Sequence, residues 1–86
     1  MNPGIGLMKR RLETEESAIS LATSGIAKKF KVQPNELQSL ETKYDDDSGD
    51  WYVALGWKKK RAIVKMDSVL SIITEIKEIQ VQLDEN

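Results

Sequence analysis

The sequence predicts a small single-domain α+β protein in the order helix, three-stranded antiparallel sheet, C-terminal helix (αβββα). Apolar residues recur at helical spacing over residues 14–30 and again over residues 67–83. Between these regions, Trp51–Trp57 reads as a strand, with an acidic turn before it and the basic segment Lys58–Arg61 after it. Both helices are expected on one face of the sheet, where they share one core. The opposite face is expected to be partly exposed.

The first helix is predicted to begin at the N-cap Thr14, with Glu15 and Glu16 in the turn where the helix dipole favours negative charge. Its apolar face consists of Ala18, Ile19, Ala22, Ile26 and Phe30. Gly25 costs about 1 kcal/mol relative to alanine within a helix, so a close approach of the sheet is expected there. Pro34 ends the helix, because the residue before a proline is pushed out of the α region.

Three strands are predicted at Leu40–Tyr44, Trp51–Trp57 and Arg61–Met66. In the second strand, two sets of side chains alternate: Trp51, Val53, Leu55 and Trp57 on one face, and Tyr52, Ala54 and Gly56 on the other. The tryptophan face is expected to be covered by the helices, since so short a chain has few other large side chains for its core. In the alternative, Trp57 at the strand end is exposed and anchors an interface.

The last helix is predicted to begin at Asp67 or Ser68. Its apolar positions are spaced by three and four residues, as in a heptad pattern: Val69, Ile72, Ile76, Ile79 and Leu83. Leu70 and Ile73 widen this stripe, which favours a helix packed on its own sheet. A homodimer through Ile72, Ile76, Ile79 and Leu83 is the alternative.

Composition limits the function classes. The 86 residues form one domain, predicted over residues 14–86 behind a flexible leader at residues 1–13. The net charge of −1 indicates neither nucleic acid nor an acidic membrane as a partner, unless local clusters bind them. No apolar run is long enough to span a bilayer, and no apolar segment follows the basic Met8–Arg11. We therefore expect a cytoplasmic protein without membrane contact, unless a signal peptide has already been removed.

Catalytic and metal sites are not expected. The chain has no cysteine and no histidine, which excludes disulfides, thiolate metal sites and the commonest general base. The acidic segment Asp45–Asp50 has carboxylates at alternate positions, but an EF-hand loop needs glycine at position six and glutamate at position twelve. Here those positions are Asp50 and Gly56, so the segment is interpreted as a hairpin turn. No cofactor is expected, and the protein is predicted not to be an enzyme.

Two binding functions remain. The first is a non-catalytic protein-binding module, an adaptor or inhibitor, that uses the exposed sheet face and the basic hairpin. Its predicted contacts are Tyr52, Trp57, Lys58, Lys59, Lys60 and Arg61, since interface hot spots combine aromatic residues with arginine and a basic tip steers an acidic partner. The alternative is a nucleic-acid binder that uses Lys58–Arg61 together with Lys28, Lys29 and Lys31. A lysine-rich tip can also serve only to discourage aggregation.

Part of the chain resembles PepSY-type and cystatin-like small domains, which place a helix, a D-x-x-x-x-W-Y-V hairpin and further strands in this order. The residues that carry the resemblance lie within residues 15–66 and are Ala18, Ala22, Phe30-Lys-Val32, Asn35-Glu-Leu37, Tyr44-Asp45 and Gly49-Asp-Trp51-Tyr-Val53. The resemblance implies an inhibitory or protease-propeptide role. The predicted last helix departs from it, since PepSY domains finish in a strand.

Two further likenesses concern parts of the pattern. The first half of the chain is similar to gas-vesicle accessory proteins of the O type, whose later Tyr/Arg-rich strands are missing here. The order helix, three strands, helix is also that of double-stranded RNA-binding domains. Their lysine signature at the start of the last helix is replaced here by Met66–Val69.

Overall fold

The structure, a computed structural model, describes residues 11–80. Its elements are helix α1 (Glu15–Phe30), a 3₁₀ turn (Pro34–Glu36) and strands β1 (Gln38–Asp45), β2 (Asp50–Trp57), β3 (Lys60–Asp67) and β4 (Ile72–Gln80). The four strands form one antiparallel sheet in sequence order, β1-β2-β3-β4. Helix α1 lies on one face of this sheet and contacts all four strands. Within residues 11–80, no helix is long and apolar enough to cross a membrane.

The predicted start of α1 is confirmed. The Thr14 hydroxyl accepts a hydrogen bond from the backbone N–H of Ser17 at 3.1 Å, and the Thr14 N–H donates to the Ser17 hydroxyl at 3.3 Å. This reciprocal pair satisfies donors that the first helical turn leaves open. The helix ends at Phe30 and is capped by Lys31, whose N–H donates to the carbonyl of Ala27. The left-handed backbone of Lys31 (φ 56°) turns the chain so that the N–H of Val32 donates to the same carbonyl at 3.1 Å.

The core lies between α1 and the sheet. The alternating residues of β2 and β3 that face the helix are all buried: Trp51, Val53, Leu55, Trp57, Ala62, Val64 and Met66. The helix contributes Ala18, Ala22 and Ile26 to the same core. The prediction that both tryptophans belong to the core is therefore confirmed.

Gly25 lies where the helix comes closest to the sheet. A β-carbon at this position would overlap Cδ1 of Ile73 in β4. The expected reason for a glycine inside the helix is therefore confirmed, since a larger residue at position 25 would have to displace the Ile73 side chain.

The predicted fold class is wrong in its last element. Residues 72–80 form an edge strand of the sheet, so residues 11–80 contain one helix followed by four strands, and within this part of the chain only α1 covers the sheet. A β-bulge at Thr74 explains the misleading spacing: Ile73 is opposite Met66 and Ile76 is opposite Val64, so both face the core although they are three residues apart. That spacing resembles one turn of a helix, whereas isoleucine and threonine favour strands.

Three expectations change with this correction. A homodimer through a C-terminal helix is not supported, because Ile72, Ile76 and Ile79 lie in a strand; Leu83 is outside the described residues. The αβββα order of double-stranded RNA-binding domains is not found in residues 11–80, where β4 takes the place of the last helix. The segment that was expected to depart from PepSY-type domains, as a helix, is instead a strand.

The turns at the start of β2 and the end of β3 are joined by hydrogen bonds. The buried Ser68 donates to the carbonyl of Gly49 through both its N–H (3.0 Å) and its hydroxyl (2.7 Å). The Ser68 carbonyl accepts from the N–H groups of Arg11 and Leu12 at 2.8 and 2.9 Å. Residues 1–10 of the predicted leader lie outside the described residues, but Leu12 is part of the core.

Candidate functional site

The sheet has one face that α1 does not cover. Cross-strand partners lie on the same face of an antiparallel sheet, so the register identifies the residues of this face. One row runs Lys43, Tyr52, Lys65, Glu75 and the next runs Glu41, Ala54, Ile63, Lys77. We call these eight residues the open face. Tyr52, Ala54 and Ile63 make most of its centre apolar. Its charged residues are Lys65 on β3 and, on the outer strands, Glu41, Lys43, Glu75 and Lys77.

Two shallow grooves lie on the open face, on either side of Tyr52 and Ile63. The first, about 390 Å³, is lined by Glu41, Lys43, Asp45, Tyr52, Ala54 and Ile63. The second, about 250 Å³, is lined by Tyr52, Ile63, Lys65, Glu75 and Lys77. Tyr52 and Ile63 are half-buried and line both grooves, so they form the ridge between them.

Leu40 extends the apolar part of this surface. It lies at the β-bulge between Ser39 and Glu41, and 44 % of it is exposed. A β-carbon at Gly56 would be 3.1 Å from Cδ1 of Leu40, so the leucine side chain covers the glycine. Because position 56 is a glycine, the side chain of Leu40 can lie over it, beside the open face.

Both lysine-rich segments lie at one end of the molecule. The ring of Phe30, the last residue of α1, packs on the ring of Trp57, the last residue of β2, with centroids 5.1 Å apart. This contact brings the end of the helix beside the β2–β3 turn. We call the cations of these two segments the basic end: Lys28, Lys29, Lys31, Lys58, Lys59, Lys60 and Arg61.

Carboxylates gather at the opposite end of the sheet, where β1 meets β2 and β3 meets β4. This acidic end consists of Glu13, Glu15, Glu16, Asp45, Asp46, Asp47, Asp50 and Asp67. The hydrogen bonds of Ser68 to Gly49 and Leu12 hold these segments together. Among residues 11–80, cations are therefore concentrated at one end of the strands and carboxylates at the other, where Lys65 pairs with Asp50 at 4.0 Å.

The six predicted contact residues do not form one surface. Tyr52 lies on the open face, and Arg61, opposite Gly56 in the register, points to the same side. Lys58 and Lys59 form the exposed turn, where Lys58 has a φ of 51°. Lys60 is opposite Trp57 and is exposed. Trp57 itself is only 5 % exposed and packs against Phe30, so it stabilises the core and is not an accessible anchor.

A third groove lies beside the basic hairpin. It measures about 300 Å³ and is lined by Glu36, Gln38, Leu40, Gly56, Trp57 and Lys58–Arg61. The edge of Trp57 reaches its wall, while the cations form its rim. The groove adjoins the open face at Leu40 and Gly56, so the basic end and the open face are continuous.

Sequence reasoning missed several residues of the open face. Ile63 and Lys65 could have been found from alternation, because Ala62, Val64 and Met66 were expected to point together and leave their neighbours on the other side. Glu75 and Lys77 are not identifiable as sheet residues from the sequence, because the spacing of the isoleucines around them predicts a helix.

The acidic turn uses its polar groups internally. The Asp47 N–H donates to the Asp45 carboxylate at 3.0 Å, and the Gly49 N–H donates to the Asp45 carbonyl at 2.8 Å. Gly49 has a φ of 76°, a left-handed conformation that glycine adopts without strain. Within residues 11–80, no three acidic side chains are close enough together to hold a metal ion.

Comparisons with known proteins identify no relative of this chain. No family model matches it, and no curated protein or solved structure is significantly similar to it.

Proposed function

We propose that the protein is a small non-catalytic protein-binding module, an adaptor or inhibitor, and that the open face is its contact surface. The observation that carries this proposal is the ridge of Tyr52 and Ile63, which stands between two grooves on the uncovered side of the sheet. An apolar centre with a charged rim is the usual anatomy of a protein interface.

Tyr52 is the expected anchor of this interface. A tyrosine offers a large apolar ring and a polar hydroxyl with few rotatable bonds, and tyrosine is enriched among hot-spot residues. Its ring is half-buried by the sheet beneath it, so little side-chain freedom remains to be lost on binding. Ile63 provides the second apolar contact, and the lysines at positions 43, 65 and 77 surround both.

The basic end is expected to act on the rate of association. Lys59 and Arg61 are exposed, and they lie beside the open face with no carboxylate within ion-pair distance among residues 11–80. Such a concentration of positive charge attracts an acidic partner over distance, which raises the association rate more than it slows dissociation. We propose the cytoplasm as the compartment, in line with a chain that carries no cysteine.

Affinity capture with four forms of the protein tests the proposal. The immobilised chain is compared with Tyr52→Ala, with Ile63→Lys and with the control Ser20→Lys, which adds a charge to the exposed side of α1. A partner that binds through the open face is expected to be captured by the wild type and by the control. Neither Tyr52→Ala nor Ile63→Lys should capture it. If capture is the same for all four forms, the open face is not the contact surface.

A double variant tests the contribution of the basic hairpin. Lys59→Glu combined with Arg61→Glu is expected to slow association with the captured partner about tenfold or more, and to leave dissociation nearly unchanged. An unchanged association rate would show that the hairpin does not contribute.

Nucleic-acid binding is the second candidate function. The observation that favours it is the contact between Phe30 and Trp57, which brings Lys28, Lys29 and Lys31 beside Lys58–Arg61 and away from the acidic end. Lysine and arginine neutralise phosphates, and seven of them in one region offset the repulsion expected from a net negative chain.

Titration of labelled single-stranded DNA and RNA at low and moderate salt tests this candidate. Binding through the basic end is expected to weaken steeply with salt, and Lys28→Glu with Lys59→Glu should lower the salt slope by about 2. The matched control is Lys43→Glu, a charge reversal of the open face. Absence of binding at low salt would exclude this function without bearing on protein capture.

A further inference from the structure

Strand β4 forms one edge of the sheet. It pairs with β3 on one side, and no described strand pairs with its other side. Four of its nine residues are isoleucines, of which Ile72 and Ile79 are 47 % and 37 % exposed. An edge strand of this composition presents unpaired backbone groups next to apolar side chains, which favours pairing with another strand.

The charges of β4 are arranged in a way that a second copy of the strand would match. Glu75 and Lys77 lie on the open face on either side of Ile76, whose side chain faces α1. Glu75 is opposite Lys65 in the neighbouring strand, whereas Lys77 is opposite Ile63. Among residues 11–80, neither Glu75 nor Lys77 forms an ion pair. Each is therefore available to a charge of opposite sign beyond the edge.

We propose that β4 pairs with β4 of a second copy of this chain, antiparallel and with the two-fold axis at Ile76. The pairing would join two four-stranded sheets into one of eight strands. Glu75 of each copy would then be opposite Lys77 of the other, on the open face, and the two Ile76 side chains would meet on the helix-covered face. Cross-strand pairs of opposite charge and of β-branched residues each stabilise an antiparallel sheet.

The charge pattern selects this register over its neighbours. Residues directly opposite each other must share a face, so the two-fold axis has to pass through a residue. An axis at Glu75, Lys77 or Glu78 would set that residue opposite its own copy, and like charges in that position repel. Of the residues from 75 to 78, only Ile76 gives an axis without such a clash.

The other edge of the sheet provides a control. Strand β1 carries a similar pattern, with Glu41 and Lys43 around Thr42, and it too has a bulge, at Leu40. Its central residue is a threonine, and it lacks the row of isoleucines of β4. We therefore assign the closed interface to β4. Pairing of β4 with β1 of a further copy would be open-ended and would produce chains longer than a dimer.

Sedimentation at increasing protein concentration tests the proposal. A single pair of strands is a small interface, so dimerisation is expected over about 10–1,000 µM rather than at nanomolar concentration. The mass of the wild type should rise from 9.7 kDa toward twice that value. A mass that stays at 9.7 kDa over the whole range, or one that exceeds a dimer, would overturn the proposal.

Charge reversal tests the register. Glu75→Lys alone and Lys77→Glu alone would each set two like-charged pairs across the interface, and each is expected to weaken association at least tenfold. The double variant, Glu75→Lys with Lys77→Glu, restores opposite charges and should restore the dimer. Glu41→Lys should leave it unchanged. Glu75→Lys also sets a lysine opposite Lys65 within the sheet, whereas Lys77→Glu faces Ile63 and adds no such repulsion. Circular dichroism therefore checks that each variant keeps the fold.

The outcomes separate this inference from the proposed function. If Glu75→Lys dimerises as the wild type does, or if Glu41→Lys prevents dimerisation, β4 is not the interface. Neither result decides whether a partner binds at Tyr52 and Ile63, because the variants that test capture are at those two residues on the central strands.

Discussion

The indole nitrogen of Trp51 donates a hydrogen bond to the backbone carbonyl of Leu12, with 2.9 Å between the two atoms. The bond is buried, and it joins the segment before α1 to the first strand of the central hairpin. The ring of Trp51 also packs on Tyr44 of β1, with centroids 5.0 Å apart. One side chain thus connects the N-terminal segment with two strands of the sheet.

Loss of the Trp51 hydrogen bond is expected to destabilise the fold. Trp51→Phe keeps an aromatic ring but leaves the carbonyl of Leu12 without its donor, which should lower the free energy of unfolding by about 1–3 kcal/mol in addition to the loss of ring volume. Trp57→Phe is the control, because within residues 11–80 the Trp57 indole donates to no protein atom. Urea unfolding measures both variants. Equal losses would show that the bond to Leu12 contributes little.

Ser68 is expected to stabilise the acidic end through its hydroxyl. Ser68→Ala removes the 2.7 Å bond to the Gly49 carbonyl and keeps the backbone bond to the same oxygen. The expected loss of unfolding free energy is about 0.5–1.5 kcal/mol. The matched control is Ser48→Ala in the exposed part of the turn, which should change stability by less than about 0.5 kcal/mol. A loss as small as that of the control would indicate that the backbone bond is sufficient.

Gly25 and Ile73 are expected to be energetically coupled. Gly25→Ala gains about 1 kcal/mol of helix propensity, but its new methyl group must displace Cδ1 of Ile73. Ile73→Val removes that atom, so Gly25→Ala should be more stabilising in the Ile73→Val background than in the wild type, by about 0.5–1 kcal/mol. A double-mutant cycle by thermal or urea unfolding measures the difference. Additive effects would mean that the Ile73 side chain moves aside without cost.

The cap at Thr14 gives a fourth expected outcome. Thr14→Ala removes the acceptor for the Ser17 N–H and should lower the free energy of unfolding by about 0.5–2 kcal/mol. Thr14→Ser keeps that acceptor, and serine caps helices at least as well as threonine, so it should leave stability nearly unchanged. Helix content by circular dichroism and unfolding by urea report the two variants. Similar losses for alanine and serine would point to the methyl group of Thr14 rather than to its hydroxyl.

Helix α1 and the first three strands were predictable because several independent signals agree on each. At the helix, a capping threonine, an apolar face and a following proline all indicate the same limits. In β2, strict alternation assigns Trp51 and Trp57 to one face and Tyr52 to the other. The same alternation already placed Trp57 in the core, so its inclusion among the contact residues conflicted with the pattern that identified the strand.

Strand β4 was not predictable from spacing, because a bulge changes the period locally. The extra residue at Thr74 separates Ile73 and Ile76 by three positions although both face the core. Core-facing residues of a strand are normally two positions apart, and here the bulge makes two of them three positions apart, which is a spacing typical of a helix. In a helix, residues 75 and 77 do not share a face, so the helical prediction hid the fact that Glu75 and Lys77 are neighbours on the open face. It therefore also hid the β4 edge of the candidate site. Residue type was the better signal, since β-branched residues dominate the segment.

The sequential order of the sheet, β1-β2-β3-β4, bears on how quickly the chain folds. Each strand pairs with the strand next to it along the chain, so most of the sheet assembles from hairpins with short loops. Pairing through short loops favours fast formation of each hairpin, because little loop entropy is lost before its contacts form. The docking of α1 and of Leu12 closes the longest loops. We therefore expect the transition state to contain the β2–β3 hairpin and to lack the N-terminal contacts.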